Sequence, residues 1–143
     1  MPSARRRSRT LALQTLYEVD TVGHPAGETL DRLAESFRFK DEKERRQTID
    51  FAKELVLGVL EHRERIDAVI AEAAPAWPVE QLAVIDRNVL RLAILEVLIN
   101  NRTPVRAAIN EAVELAKSFG SDSSARFVNG VLGHISAMAA RQG

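Results

Sequence analysis

Apolar residues recur at three- and four-residue steps along most of this 143-residue chain, and the runs are separated by glycine, proline or polar clusters. That period is typical of amphipathic α-helices with one buried face. The first helix is predicted to begin near Ser3 or Ala4. A third helix is predicted to begin at Asp41, because Asp41 and Glu44 have the spacing of a capping box. The polar stretch 61–65 predicts a break between two helices.

The second half of the chain is predicted to begin at a proline pair. Pro75 and Pro78 flank Trp77, and the residue before a proline avoids helical angles. A long helix is predicted over 79–99, and its wide apolar face indicates burial between groups of helices.

A helical hairpin is predicted over 103–135, and residues typical of helix ends mark both ends of its first helix. Thr103 and Pro104 suit the N-cap and the first helical position. Gly120 suits a left-handed residue at the end of the first helix. Any of three side chains can cap the second helix, namely Ser121, Asp122 or Ser123.

Composition narrows the class of protein. Cysteine is absent, which excludes disulfides, and no apolar run approaches the roughly 18 residues of a membrane span. The arginine-rich start lacks the apolar region of a signal peptide. Twenty basic and twenty acidic residues cancel, so only the distribution of charge is informative. We therefore expect a soluble, cytoplasmic, all-α protein without membrane partners.

The sequence offers no catalytic constellation. His24, His62 and His134 are isolated and lack the spacing of a metal site. The serines near position 121 lack the setting of a nucleophile elbow, and helix caps explain them. We expect neither an enzyme nor a bound cofactor or metal.

Arginines are concentrated in the first two turns of the first helix. The helix dipole is positive there, so each cation costs about 0.3–1 kcal/mol, and stability alone would not select them. Further along the helix, the amide of Gln14 and the phenol ring of Tyr17 could contact a nucleic-acid base. A solvated basic tail explains the charge equally well. The candidates for nucleic-acid binding are Arg5, Arg6, Arg7, Arg9, Gln14 and Tyr17.

Two further groups of basic residues lie later in the chain. Free N–H groups near Ser123, with Lys117 and Arg126 beside them, would form an anion-binding helix end. The other cluster is diluted by Asp41, Glu42 and Glu44, and we interpret it as a solvated helix start. It consists of Arg38, Lys40, Lys43, Arg45 and Arg46.

Three segments of the chain carry a resemblance to a known family: ARRRSRTLALQTLYEVD at 4–20, IDRNVLRLAILEVL at 85–98 and TPVRAAINEAVELAKSFGSDSSARFVNGVLGHI at 103–135. Together they resemble the NusB family of bacterial transcription antitermination factors. The motifs INEAVELAK and FVNGVLG are the most specific, whereas 21–65 matches only in helical pattern. The resemblance implies two small perpendicular three-helix bundles, about seven helices in all, that form one domain over 1–143. We place the bundles at about 1–76 and 77–143.

The resemblance also implies a function. Members of the family pair with NusE, a ribosomal protein of the small subunit, and the pair binds the boxA element of ribosomal RNA leaders. Together with RNA polymerase and other Nus factors, this complex suppresses premature termination. The resemblance leaves homodimerisation open.

Site residues follow from the same resemblance. The arginine-rich start with Gln14 and Tyr17 matches the family's RNA-binding start, and 121–127, which includes Phe127, matches a second part of the RNA surface. Ser123 replaces an aspartate that is common there, which would favour RNA. Leu82 and Asp86 are the candidates for partner binding.

Two alternatives belong to other classes. One is a helical adaptor that binds only protein. The other is a relative of the N-terminal domain of ribosomal RNA cytosine methyltransferases, although this chain ends without the cofactor-binding domain that such an enzyme needs.

Overall fold

The computed structural model describes residues 3–142, and for residues 139 and 142 it describes the backbone only. Residues 1, 2 and 143 of the predicted domain lie outside this description. Residues 3–142 form helices and turns and contain no strand, which confirms the all-α prediction. The α-helices are α1 (Ala4–Val22), α2 (Ala26–Ala34), α3 (Glu42–Glu61), α4 (Arg63–Ala73), α5 (Val84–Ile94), α6 (Val105–Phe119) and α7 (Ser124–Gln142).

The chain divides into two compact units, Met1–Leu60 and Glu61–Gly143, which we call the N-terminal and C-terminal units. The division falls after Leu60, whereas the proline pair led us to expect it near residue 76. Helix α4 packs against α5 and α7 and therefore belongs to the C-terminal unit. That the two units form a single domain stays a prediction.

The N-terminal unit consists of α1, α2 and most of α3, and its helix ends follow the predicted signals. Ser3 caps α1 by accepting the N–H of Arg6 at 3.1 Å, and Gly23 ends the helix with a left-handed φ of 79°. Asp41 Oδ1 accepts the N–H of Glu44 at 2.8 Å, which is one half of the predicted capping box, whereas the Glu44 side chain accepts the N–H of Lys40 at 3.0 Å and not that of Asp41. The core contains Leu11, Leu13, Leu16, Leu30 and Leu55, all buried.

The C-terminal unit is built around α5, which is buried from Asn88 onward. An ion pair joins α5 to α4, because the buried Arg91 donates to both carboxylate oxygens of Asp67 at 2.9 and 3.0 Å. The predicted long helix is interrupted. Val79–Gln81 forms a 3₁₀ turn, and Leu82 and Ala83 are extended before α5 begins. A π-helical turn, Leu95–Ile99, follows α5.

The hairpin of α6 and α7 is confirmed, but two details at its ends were wrong. Pro104 takes the N-cap position and Val105 the first helical position, each one residue later than expected. Gly120 is extended, with φ −96° and ψ −168°, and is not left-handed. A Cβ there would overlap the Ser124 side chain and lie 2.8 Å from the Ala116 carbonyl oxygen, so close packing selects the glycine.

Among residues 3–142, no helix has both the length and the apolar character needed to span a membrane.

Candidate nucleic-acid interface and cleft

The arginines at the start of α1 are largely packed against the N-terminal unit itself. The Arg5 guanidinium lies 3.7 Å from the centroid of the Phe51 ring, and that of Arg9 lies 5.7 Å from the same ring. Such contacts attract the cation to the ring face by about 0.5–1 kcal/mol at exposed sites. Arg9 is buried, at 7% exposed, whereas Arg5 remains exposed.

Arg7 is anchored by two hydrogen bonds and by two aromatic rings. Its guanidinium donates to Glu44 Oε1 at 2.8 Å and to the carbonyl oxygen of Arg38. The same group lies over the Phe39 ring at 4.7 Å and the Phe37 ring at 5.5 Å. Arg7 therefore links α1 to α3 and to the segment that precedes α3.

One face of α1 carries the remaining candidates. Arg6, Gln14 and Tyr17, with Thr10, follow each other at four-, four- and three-residue steps and so share one side of the helix. Arg6 is exposed, Gln14 is half-buried and Tyr17 is 43% exposed. We call these four residues the α1 ridge. A cation, an amide and a phenol ring along one ridge can contact phosphate, base edge and base face respectively.

Next to this ridge, a carboxylate of α1 has an arginine and a histidine as partners. Glu18 Oε2 accepts from the Arg32 guanidinium and lies 2.7 Å from His24 Nδ1. These bonds, Arg32 first and His24 second, lower the pKa of Glu18 from 4.5 to about 2. Glu18 is thus ionised at neutral pH and ties α1 to α2.

In the C-terminal unit, the turn between α6 and α7 is closed by serine hydroxyls. Ser124 Oγ accepts the N–H of Ser121 at 2.9 Å, and the hydroxyls of Ser121 and Ser123 lie 3.3 Å apart. The Ser123 carbonyl accepts the N–H of Phe127 at 3.0 Å, which begins α7. Ser123 and Arg126 are exposed at this helix end, as the anion-binding prediction requires. Lys117 pairs with Glu114 at 3.5 Å.

A cleft of about 580 Å³ lies beside this turn. The segment 77–86 forms one side, and 123–127 forms the other. The Arg87 guanidinium fixes the first side by donating to the carbonyl oxygens of Glu80 at 2.9 Å and Leu82 at 3.3 Å. The lining residues are Trp77, Gln81, Leu82, Ala83, Asp86, Ser123, Arg126 and Phe127.

Asp86 is the unusual member of this lining. Its side chain lies in the first turn of α5 and is only 8% exposed. Its Oδ1 atom is buried and accepts no hydrogen bond. An unmatched buried acceptor costs about 1–3 kcal/mol, so Asp86 is unfavourable in the free protein unless a ligand supplies a donor.

The structure thus brings together residues that the sequence assigned to two different ligands. Leu82 and Asp86, predicted for a protein partner, share the cleft with Ser123, Arg126 and Phe127, predicted for RNA. Lys117 does not line it. The sequence analysis does not single out Trp77, which is 62% exposed, or Thr10. It excludes Gln81, because an uncharged amide offers a partner only a neutral hydrogen bond, yet this residue lines the cleft. A tryptophan between two prolines in a connecting segment was the available signal for Trp77, because an exposed large aromatic residue often marks an interface.

Comparison with known proteins identifies the relatives of this chain. The family model described as the NusB family matches residues 6–137. The chain belongs to the NusB family. The transcription antitermination protein NusB of Dehalococcoides mccartyi strain CBDB1 is 49% identical over 95% of this chain and 92% of its own length. That of Chloroflexus aggregans is also 49% identical, over 94% and 88% respectively.

A solved structure of the antitermination factors NusB and NusE in complex with double-stranded RNA is also similar. It has a TM-score of 0.81 and 28% identity, and the match covers 92% of this chain and 95% of that one. The NusB family match begins at Arg6 and includes both the α1 ridge and the cleft, while Arg5 precedes it.

Proposed function

We propose that this protein acts in transcription antitermination by binding boxA RNA and by pairing with NusE through the cleft of its C-terminal unit. Its relatives are transcription antitermination proteins, and one similar solved structure contains NusB, NusE and RNA. We further propose that the resulting complex joins RNA polymerase with other Nus factors.

For RNA, the proposed contacts of the N-terminal unit are Arg5 and three residues of the α1 ridge: Arg6, Gln14 and Tyr17. The two arginines supply exposed charge for phosphate, and Tyr17 offers a ring for stacking on an unpaired base. In the C-terminal unit the proposed contacts are Lys117 in α6 and, at the positively polarised start of α7, Ser123, Arg126 and Phe127.

For the partner, one observation carries the proposal, namely the buried, unmatched Oδ1 of Asp86. A partner that inserts a lysine, an arginine or a backbone N–H would satisfy this oxygen while covering Leu82 and the exposed Trp77. Buried charge-assisted hydrogen bonds at the centre of an apolar patch are typical of protein interfaces. We therefore assign the floor of the cleft to NusE.

The RNA part is tested by titrating labelled boxA RNA at several salt concentrations, with a scrambled RNA and the annealed duplex as controls. If four cations each neutralise one phosphate of a single strand, the log–log slope of affinity against salt is about −3. Arg6→Ala should reduce the slope by about 0.7, whereas Arg65→Ala, which removes an exposed arginine from α4, should leave it unchanged. A flat slope would favour the alternative, an adaptor that binds only protein.

The partner part is tested by repeating the titration with purified NusE. We expect NusE to tighten RNA binding and to form a one-to-one complex in sedimentation. A homodimer that excludes NusE, or equal RNA affinity with and without NusE, would contradict the pairing.

A further inference from the structure

The segment between α2 and α3 is folded tightly against the start of α1. Arg7 donates to the Arg38 carbonyl oxygen, and its guanidinium lies over the rings of Phe37 and Phe39. These two rings stack with their centroids 6.3 Å apart. The segment 35–41, which we call the α2–α3 strip, therefore lies within one side-chain length of the first two turns of α1.

Glu44 completes this arrangement. One carboxylate oxygen accepts from Arg7 at 2.8 Å, and the other accepts the N–H of Lys40 at 3.0 Å. The Arg7 and Glu44 side chains are only 19% and 20% exposed. The charge of Arg7 is thus largely neutralised inside the N-terminal unit, while Arg7 holds the strip at Arg38 and its partner Glu44 holds the strip at Lys40.

One of the acidic residues that dilute this basic cluster in the sequence, Glu44, is engaged by an arginine outside it. Glu44 pairs with Arg7, and Asp41 accepts the N–H of Glu44. Glu42 pairs with Arg45 at 3.6 Å. Arg38 and Lys40 are exposed on the strip. Because Arg7 neutralises Glu44, the cluster that includes Arg38 and Lys40 keeps one more unbalanced positive charge than its own sequence indicates.

We infer that the α2–α3 strip is a second RNA-contacting segment, in which Arg38 and Lys40 contact phosphate groups, and that Arg7 is the positioning residue that holds it beside the start of α1. This inference rests on the proposed RNA binding. Arginine and lysine on a short, anchored segment suit phosphate, because an arginine fork and a lysine ammonium are both common phosphate ligands. Continuity with the proposed contacts Arg5 and Arg6 favours RNA over an acidic protein surface.

The charge part is tested with a matched pair of lysines from the same unit. Lys40→Ala and Lys53→Ala each remove one exposed lysine. Lys53 pairs with Asp31 at 3.8 Å and lies on α3 nine residues beyond Glu44, about 13 Å along the helix. We expect Lys40→Ala, and likewise Arg38→Ala, to reduce the salt slope of boxA RNA binding by about 0.7, and Lys53→Ala to leave it unchanged. Equal slopes for Lys40→Ala and the wild type would overturn the assignment.

The positioning part is tested by Arg7→Lys and Glu44→Gln. Arg7→Lys keeps the charge but loses the forked donor and the ring stacking, so we expect amide hydrogen exchange to accelerate in residues 35–41 and RNA affinity to fall severalfold. Glu44→Gln removes a negative charge, which by electrostatics alone would tighten RNA binding; we expect it to weaken binding instead. Circular dichroism of each variant checks that helicity is kept.

Three results would contradict the inference while leaving RNA binding intact. They are wild-type affinity in Arg7→Lys, tighter binding in Glu44→Gln, and a loss of slope in Arg7→Ala that Arg7→Lys fully restores, which would make Arg7 a phosphate contact. Loss of NusE binding, but not of RNA binding, in Lys40→Ala would assign the strip to the protein partner. Absence of RNA binding in the wild type itself would refute the proposed function first.

Discussion

The two candidate surfaces differ in whether their buried or half-buried charged groups have partners within the protein. In the N-terminal unit, Arg7 has Glu44 and two aromatic rings, and Glu18 has Arg32 and His24. In the cleft of the C-terminal unit, Asp86 is buried with one oxygen unmatched. On the first surface these charged groups already have partners within the folded unit, so a ligand can contact only the side chains that remain exposed. The second is incomplete until a ligand arrives, as expected for an interface whose binding energy offsets a cost present in the free protein.

The largest effect is expected from Asp86→Ala. Removing one member of a buried charge-assisted pair costs about 2–5 kcal/mol of binding, so NusE affinity should fall at least thirtyfold in isothermal titration calorimetry. The free protein should respond in the opposite direction. Loss of the unmatched acceptor, worth about 1–3 kcal/mol, exceeds the loss of a favourable dipole contact of about 0.3–1 kcal/mol, so the free energy of unfolding should rise by roughly 1 kcal/mol.

Glu80→Ala is the matched control for this experiment, because it removes an exposed carboxylate from the neighbouring 3₁₀ turn. It should leave both NusE affinity and stability nearly unchanged. If Asp86→Ala binds NusE as the wild type does, the cleft is not the partner site.

Gly120→Ala is expected to have the next largest effect, since the far side of the cleft depends on close packing at this turn. The added methyl group would overlap Ser124 and lie 2.8 Å from the Ala116 carbonyl oxygen. Such overpacking costs about 1–3 kcal/mol, to be measured by urea denaturation. Gly130→Ala is the control: it lies in the exposed part of α7 with open space around it and should gain about 0.5–1 kcal/mol. Equal stability of the two variants would show that the turn relaxes freely.

Helices could be predicted from this sequence more completely than sites. The start of α1 at Ser3 and the capping box at Asp41 depend on residues three positions apart, so local pattern suffices for them. The conformation of Gly120 was wrong because the packing of Ser124 in the turn decides it, not the helix-ending preference of glycine. The interruption before α5 was missed because strong apolar periodicity masks a short extended segment.

The sites depend on longer distances along the chain. The cleft joins 77–86 to 123–127, and periodicity contains no information on that pairing. The basic cluster at 38–46 was interpreted as solvated because its net charge is small in sequence. Only the structure shows that Glu44 is neutralised by Arg7, 37 positions away.

The smallest effect is expected from Glu18→Gln. It tests, through the pH dependence of stability, the surface whose charged groups have partners inside the protein. The pKa of Glu18 is about 2 in the folded protein, below its ordinary value of 4.5, because Arg32 and His24 bond to the ionised carboxylate. A lowered folded pKa contributes stability that is present above pH 4.5 and is lost as the pH falls toward 2. The wild type should therefore be more stable than Glu18→Gln at pH 7, and the difference measured by urea denaturation should vanish as the pH approaches 2.

Arg32→Gln should show the same pH dependence, whereas a difference that stays constant down to pH 2.5 would indicate lost packing. Removing the Glu18 carboxylate thus lowers the free energy of unfolding, and removing that of Asp86 raises it. The opposite signs distinguish a carboxylate with partners inside the protein from one whose hydrogen-bond donor must come from a ligand.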